Sequence, residues 1–320
     1  MGEAIVAADE YLDADDLWLV TTLFNPARYR ARRRNYAMFR QRIDRSQLRL
    51  LTVECAFGDQ PFELEPGPDV LQVRARDVMW QKERLLNLAI EGLPRECRKV
   101  AWLDCDVLFT DSAWARQTAA ALDRFDVVQP FETLIRLPPH SDRFDGEGEV
   151  HTGFAAVWSR DPDSVRHGAH PAHGKTGFAW AARREVLDRS LLYDRCVAGG
   201  GDSLIAFAFA GARQAACLRR HLGIDPAWID HMGEWFDKVA EQPLRIGHLP
   251  QALLHLWHGS QQRRLSQQRH EELRRRGYDP RHDVRIGSNG CLEWATDKPE
   301  LHRWIADYFV YRQEDRVSID

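Results

Sequence analysis

Two aspartates separated by one residue, in Trp102-Leu103-Asp104-Cys105-Asp106-Val107, are the sharpest chemical signal in the 320-residue chain. In extended backbone such a pair projects to one side, and here it follows the wholly apolar run Val100 to Leu103. Carboxylates held that close repel unless a cation joins them. Hard oxygen ligands in small number suit Mg2+ or Mn2+ completed by water and substrate phosphates. The same two residues could equally turn the chain or cap the helix expected from Ser112. A second apolar run, Leu253 to Trp257, ends at His258-Gly259 and leads into Arg263 and Arg264. An imidazole can join carboxylates on a transition metal, and guanidiniums hold a diphosphate in bidentate fashion. His255 and His258 are three positions apart, so an extended strand would point them to opposite faces. His258, at the strand end, is the expected ligand ahead of His255. A third signal is Gly199-Gly200-Gly201-Asp202, which opens the apolar helix Ser203 to Ala210. Glycines allow close backbone approach, and a helix N-terminus keeps a carboxylate ionised. Asp202 therefore reads either as a general base toward a hydroxyl or as a plain helix cap.

These residues need elements to hold them. Leu17 to Phe24 is an apolar run ending in Asn25-Pro26, a strand feeding a loop. Tyr29, Tyr36, Phe39 and Ile43 then recur at helical spacing among many arginines, giving an amphipathic helix with a basic face. Strands follow at Leu48 to Ala56 and Val70 to Ala75, a helix from Trp80 to Glu91, the strand Val100 to Leu103, a helix from Ser112 to Phe125 and the strand Val127 to Phe131. This alternation predicts an α/β fold with a doubly wound, mostly parallel sheet. Ligands then bind beyond the carboxyl ends of the strands, near Asn25, Glu54, Arg76 and Asp104. Pro138 to Lys175 is rich in Pro, Gly and His, with a strand expected at Phe154 to Trp158, and reads as a lid or binding loop. Helices are expected again at Gln262 to Arg276 and Leu301 to Tyr311.

Composition narrows the function classes. Hydrophobic residues make up 44% and charged residues 29%, which is globular rather than disordered. A net charge of −4 gives no bulk attraction to nucleic acid, although the Arg28 to Arg45 helix is a local basic surface. No apolar run approaches the roughly 20 residues of a membrane span. Met1 to Asp16 is acidic and unlike a signal peptide. The six cysteines are scattered without a paired motif, so the expected setting is cytoplasmic with reduced thiols. His167, His170 and His173 form an H-x-x-H-x-x-H run that could bind zinc or simply belong to a mobile lid. No P-loop motif and no G-x-G-x-x-G after the first strand are present, which argues against a P-loop NTPase or a dinucleotide enzyme.

The ordered set Leu103-Asp104-Cys105-Asp106, Gly177-Phe178-Ala179-Trp180-Ala181, Gly200-Gly201-Asp202 and His258-Gly259 resembles the GT-A fold nucleotide-sugar glycosyltransferases, over roughly residues 17 to 264. The resemblance implies a divalent-metal-dependent sugar transfer from a UDP- or GDP-type donor to a glycan or small-molecule acceptor. It implies metal ligation by Asp106 and His258, with Asp104 on the donor ribose or sharing the metal, and Asp202 at the acceptor hydroxyl. By the same resemblance Lys82, Asn87, Thr22, Asn25, Glu54, Arg76 and Trp180 fall on the donor side. Arg263 or Arg264 would steady the departing diphosphate. Residues 1–131 would form the donor half of one GT-A domain, 132–260 the acceptor and metal-completing half, and 261–320 a helical extension. The third element reads Gly-Gly-Gly-Asp and no Q-x-x-R-W follows, which disfavours a processive polymerase. Alternatives are a nucleotidyltransferase, which would carry a Gly-rich loop where Thr22 to Pro26 has no glycine, sugar transfer onto a nucleic-acid base, and a non-catalytic carbohydrate-binding protein using some of the eleven Trp.

Overall fold

The computed structural model describes residues 16–167, 172–221 and 226–317. The acidic N-terminal stretch and His170 lie outside them. In chain order the strands are β1 (Leu17–Phe24), β2 (Leu50–Phe57), β3 (Val70–Ala75), β4 (Lys99–Leu103), β5 (Val107–Phe109), β6 (Val127–Gln129), β7 (Thr133–Arg136), β8 (Glu149–Thr152), β9 (Ala179–Arg183), β10 (Ile246–His248), β11 (Ala252–His255), β12 (Val284–Ile286) and β13 (Leu292–Trp294). The helices are α1 (Arg30–Arg45), α2 (Lys82–Gly92), α3 (Trp114–Ala121), α4 (Phe154–Arg160), α5 (Pro162–His167), α6 (Arg184–Ser190), α7 (Gly201–Phe209), α8 (Ala216–His221), α9 (Pro226–Val239), α10 (Gln268–Arg275) and α11 (Pro299–Tyr311).

The central sheet has the order β10-β6-β9-β4-β1-β2-β3. All neighbours are parallel except at β9, which runs antiparallel to both β4 and β6. Strands with helices on both faces must be apolar throughout. β1 and β4 follow this in the main, with Leu19, Val20, Leu23, Val100, Ala101 and Trp102 buried, and the exceptions Thr21 and Thr22 fall toward the carboxyl end of β1. The β1–β4 register pairs Thr21 with Leu103, and Thr21 Oγ1 donates to the Leu103 carbonyl at 2.7 Å. Asp104 therefore leaves the sheet beside Thr22. On the other side Asp104 N donates to the Phe178 carbonyl at 2.7 Å, so the start of β9 closes the same edge.

A second sheet, β5-β11-β7-β8, folds against this edge. β5 is antiparallel to β11 with Val107 opposite His255, and Leu256 N donates to the Asp106 carbonyl at 2.8 Å. That register is what delivers the late histidines to the D-x-D.

Three local expectations are corrected. Phe154 to Trp158 is the first part of helix α4, not a strand. An apolar run this short cannot be told apart by periodicity, and Ala155 and Ala156 favour the helix. The helix after the D-x-D starts at Trp114, and its entry is bonded by Asp111, whose Oδ1 accepts from Ala113 N at 2.8 Å, rather than by Ser112. The helix expected from Gln262 is split into a 3-10 turn, Gln262–Arg264, and α10, with Leu265 between them at φ 47°. The stretch 138–175 carries β8, α4 and α5. All six cysteines are buried. Among the described residues no helix is long and apolar enough to cross a membrane.

Candidate active site

Asp106, His255 and His258 converge. Each offers a ligand atom, and these atoms lie within 4.8 Å of one another. His258 Nε2 is 3.1 Å from Asp106 Oδ2, and His255 Nε2 is 3.7 Å from Asp106 Oδ1. The expectation that the two histidines face opposite ways fails because β11 ends at His255; residues 256–258 leave the strand, so alternation no longer applies. His255, ranked second from the sequence, belongs to the cluster.

The electrostatics of the cluster fit a divalent cation. Burial drives the His255 imidazole well below its ordinary pKa, leaving the neutral form that binds metals. Burial pushes Asp106 upward, but His255, His258 and then Arg32 outweigh it and keep the carboxylate well below its usual range. Asp106 Oδ1 is buried with no hydrogen-bond donor. Arg264 Nη2 lies 3.0 Å from His258 Nε2, the nitrogen that also faces Asp106. One carboxylate and two imidazoles this close together can share a divalent cation when the imidazoles are neutral. Glu314 stands behind His258, 3.2 Å from Nδ1, and is itself gripped by Arg32 at 2.6 and 3.0 Å and by Arg312 at 2.5 Å. A carboxylate at this place is suited to orient a histidine ligand through its second ring nitrogen. Glu314 and Arg32 belong to no motif, so no local signal points to either.

Asp104 is not in the cluster. Its Oδ1 lies 2.6 Å from Lys82 Nζ, which also sits 2.8 Å from Asp202 Oδ1. Lys82 and Glu83 are buried, not on a solvated helix face. Burial opposes the Lys82 charge, yet Asp104, Asp202 and Glu83 raise its pKa well above the ordinary value. Asp104 is pushed up to about 6, by burial first and against the pull of Lys82. Glu83 is pushed up to about 8, by burial and then by Asp202. Its Oε1 has no hydrogen-bond partner. Asp202 lies in the first turn of α7, whose N-cap Gly200 has φ 103°.

A cleft of about 330 Å³ joins these groups, lined by Thr22, Asp104, Asp106, Asp202, His255 and His258. Beside Lys82, its walls carry Arg32, Arg136, Lys175, Arg264, Arg269 and Arg312. Such a density of cations suits phosphate oxygens.

Other sequence candidates are placed elsewhere. Arg263 turns away to the Tyr311 carbonyl and ring, so Arg264 alone of the pair reaches the cleft. Trp180 is fully buried in the core and donates to the Thr176 carbonyl. Asn25 bonds Tyr29 and Glu63, and Glu54 holds the backbone of Glu63 and Leu64; both tie down the loop after β2 instead of lining the cleft. Asn87 brackets Leu192 through both backbone groups. Arg76 is exposed and pairs with Asp77. Of the lid histidines, His167 is exposed and His173 packs on Phe154 and Phe207. In the basic helix, Arg32 turns inward to Glu314 and Arg40 pairs with Asp44 and Asp69.

No protein-family model matches the chain, and no curated protein matches it. Solved structures superpose on it loosely. The catalytic domain of Drosophila β1,4-galactosyltransferase 7 in complex with xylobiose aligns at 10% identity over 72% of this chain, with a TM-score of 0.34. A point mutant of that Drosophila enzyme, in complex with manganese, UDP-Gal and xylobiose, aligns at 12% identity over 61%, with a TM-score of 0.32. The chain spans 63% and 62% of those two chains, under two thirds of their length. The 4-diphosphocytidyl-2C-methyl-D-erythritol synthase of Anaerococcus prevotii aligns at 9% identity over 75% of this chain and 88% of its own, with a TM-score of 0.34. At these values the chemistry rests on the cleft itself.

Proposed function

We propose that the protein is a glycosyltransferase that moves a sugar from a nucleoside-diphosphate donor to an acceptor hydroxyl, with Mn2+ or Mg2+ held by Asp106, His255 and His258. The observation that carries the reading is the convergence of those three side chains in an arginine-lined cleft that Asp202 also lines. In this reading residues 1–131 are the donor half and 132–260 the acceptor and metal-completing half, and from the C-terminal extension Arg264, Arg269 and Arg312 line the cleft.

Asp106, His255 and His258 would hold the divalent cation, which would supply positive charge toward the departing diphosphate. Glu314 orients His258, and Arg264 lies next to it where an anionic leaving group would gather. Asp202, kept in place by Lys82, takes the proton of the acceptor hydroxyl. The acceptor oxygen bonds to the anomeric carbon while the bond from that carbon to the diphosphate breaks, its electron pair leaving with the phosphate oxygen. Asp104, tied to Lys82, is left for hydrogen bonding to the donor.

The test is a donor panel with and without Mn2+ or Mg2+. Metal together with UDP or GDP raises the melting temperature, and donor turnover releases the nucleoside diphosphate. Release of pyrophosphate would instead mark a nucleotidyltransferase. No shift with any metal–nucleotide pair would remove the donor site.

A further inference from the structure

Several cations of the cleft are paired with carboxylates, Lys82 with Asp104 and Asp202 and both Arg32 and Arg312 with Glu314, but Arg136 and Lys175 are poorly compensated. Arg136 ends β7 directly beside its register partner His255. Lys175 follows the Gly174 turn, and its backbone bridges to Gly153. Both line the cleft. Burial lowers the Arg136 pKa, and burial followed by the Arg136 charge lowers that of Lys175. Their compensation is thin. Arg136 Nη1 reaches Glu149 at 3.3 Å, but that carboxylate is 61% exposed and shared with His151 at 3.2 Å. Arg136 Nε is buried with no acceptor, and the one carboxylate that acts on Lys175 is the same shared Glu149. Two half-buried cations facing each other cost stability unless an anion joins them.

The pair also has a defined place in the cleft. Thr176 Oγ1 is 3.1 Å from Ser203 Oγ, and Gly177 lies against the Asp202 carboxylate. Arg136 is thus the neighbour of the ligand His255, and Lys175 lies two residues from the Gly177 that abuts Asp202, so both line the cleft near these groups. We propose that Arg136 and Lys175 form an anion subsite that binds a phosphate or carboxylate group of the acceptor, so that sugar is transferred to a hydroxyl of an anionic molecule. This rests on the transferase reading above and names its acceptor class.

The experiment titrates the Mn2+- and nucleotide-loaded protein with glucose 6-phosphate, glucuronate and glucose, read by calorimetry and melting temperature. The phosphorylated or the carboxylated sugar saturates at concentrations where glucose does not, and whichever binds tighter identifies the group. Lys175→Gln and Arg136→Gln each weaken that binding about tenfold or more, the loss of one charge-assisted contact. The proposal is overturned if glucose binds as well as the anions, if neither anion binds, or if both variants keep wild-type affinity. The donor reading is judged separately by the metal–nucleotide shift measured before any sugar is added, and the same titration without nucleotide reads the anion subsite even if that shift is absent.

Discussion

Glu314 lies against the second ring nitrogen of His258. Its carboxylate lies 3.2 Å from Nδ1 and leaves Nε2 facing Asp106. Glu314→Gln is expected to weaken Mn2+ binding by about 10–100-fold, the usual effect of removing an orienting carboxylate, measured as metal-dependent thermal shift. Asp106→Asn should abolish that shift and the nucleotide release while circular dichroism stays native; wild-type metal dependence in this variant would refute the assignment. Glu83 predicts a pH effect. With a pKa near 8 in the fold against an ordinary value of 4.5, it keeps a proton that the unfolded chain releases. Its contribution is therefore constant below the unfolded pKa, and stability falls as pH rises between about 4.5 and 8. Glu83→Gln imitates the neutral form, so its melting temperature should decline less than that of the wild type across this window. Parallel curves would show that Glu83 is ionised in the fold.

At the scale of elements, the start of α7 is built by glycines that tolerate no side chain. Gly200 sits at φ 103°, and a Cβ there would lie 2.8 Å from His270 Nε2; at Gly201 a Cβ would lie 2.5 Å from Glu83 Oε1. Gly200→Ala should cost roughly 1–3 kcal/mol from backbone strain alone, visible in denaturant unfolding, and should reduce turnover by displacing Asp202. The Gly-rich turn before an apolar helix was legible because glycine and the start of an apolar run are both local signals. The strands β1 to β4 were legible for the same reason, each being a short apolar run between turn residues. Helix α4 was not, because Phe154 to Trp158 is too short for its periodicity to declare itself.

Across the whole molecule, the chain closes on itself. Asp315 caps α1 from the other end of the sequence, accepting from Arg30 N at 2.9 Å and Ala31 N at 2.7 Å. Tyr29 Oη donates toward the carbonyls of Phe309 and Val310. Deleting residues 312–320 removes this cap together with Arg312 and Glu314. The truncated protein is expected to melt lower and to lose the metal-induced shift. Asp315→Ala, which removes the cap alone, should cost about 1 kcal/mol and leave the shift in place. A truncation that still responds to Mn2+ like the intact chain would show that the tail does not support the metal site.

By itself the sequence determined the alternating α/β layout, the position of the D-x-D at a strand end and the candidacy of Asp202 and His258. Each of these follows from local pattern: apolar runs, turn residues and charge spacing. Only the tertiary structure decided that His255 joins the cluster, that Asp104 answers to Lys82, and that Arg264 rather than Arg263 reaches the cleft. It also moved Trp180, Asn25, Glu54, Asn87 and Arg76 to structural duties. Those outcomes depend on where a strand stops, on the register of β11 against β5 and on a tail contact spanning almost 300 residues. Register and long-range packing are set by the summed burial of the whole core, and no window of sequence contains them.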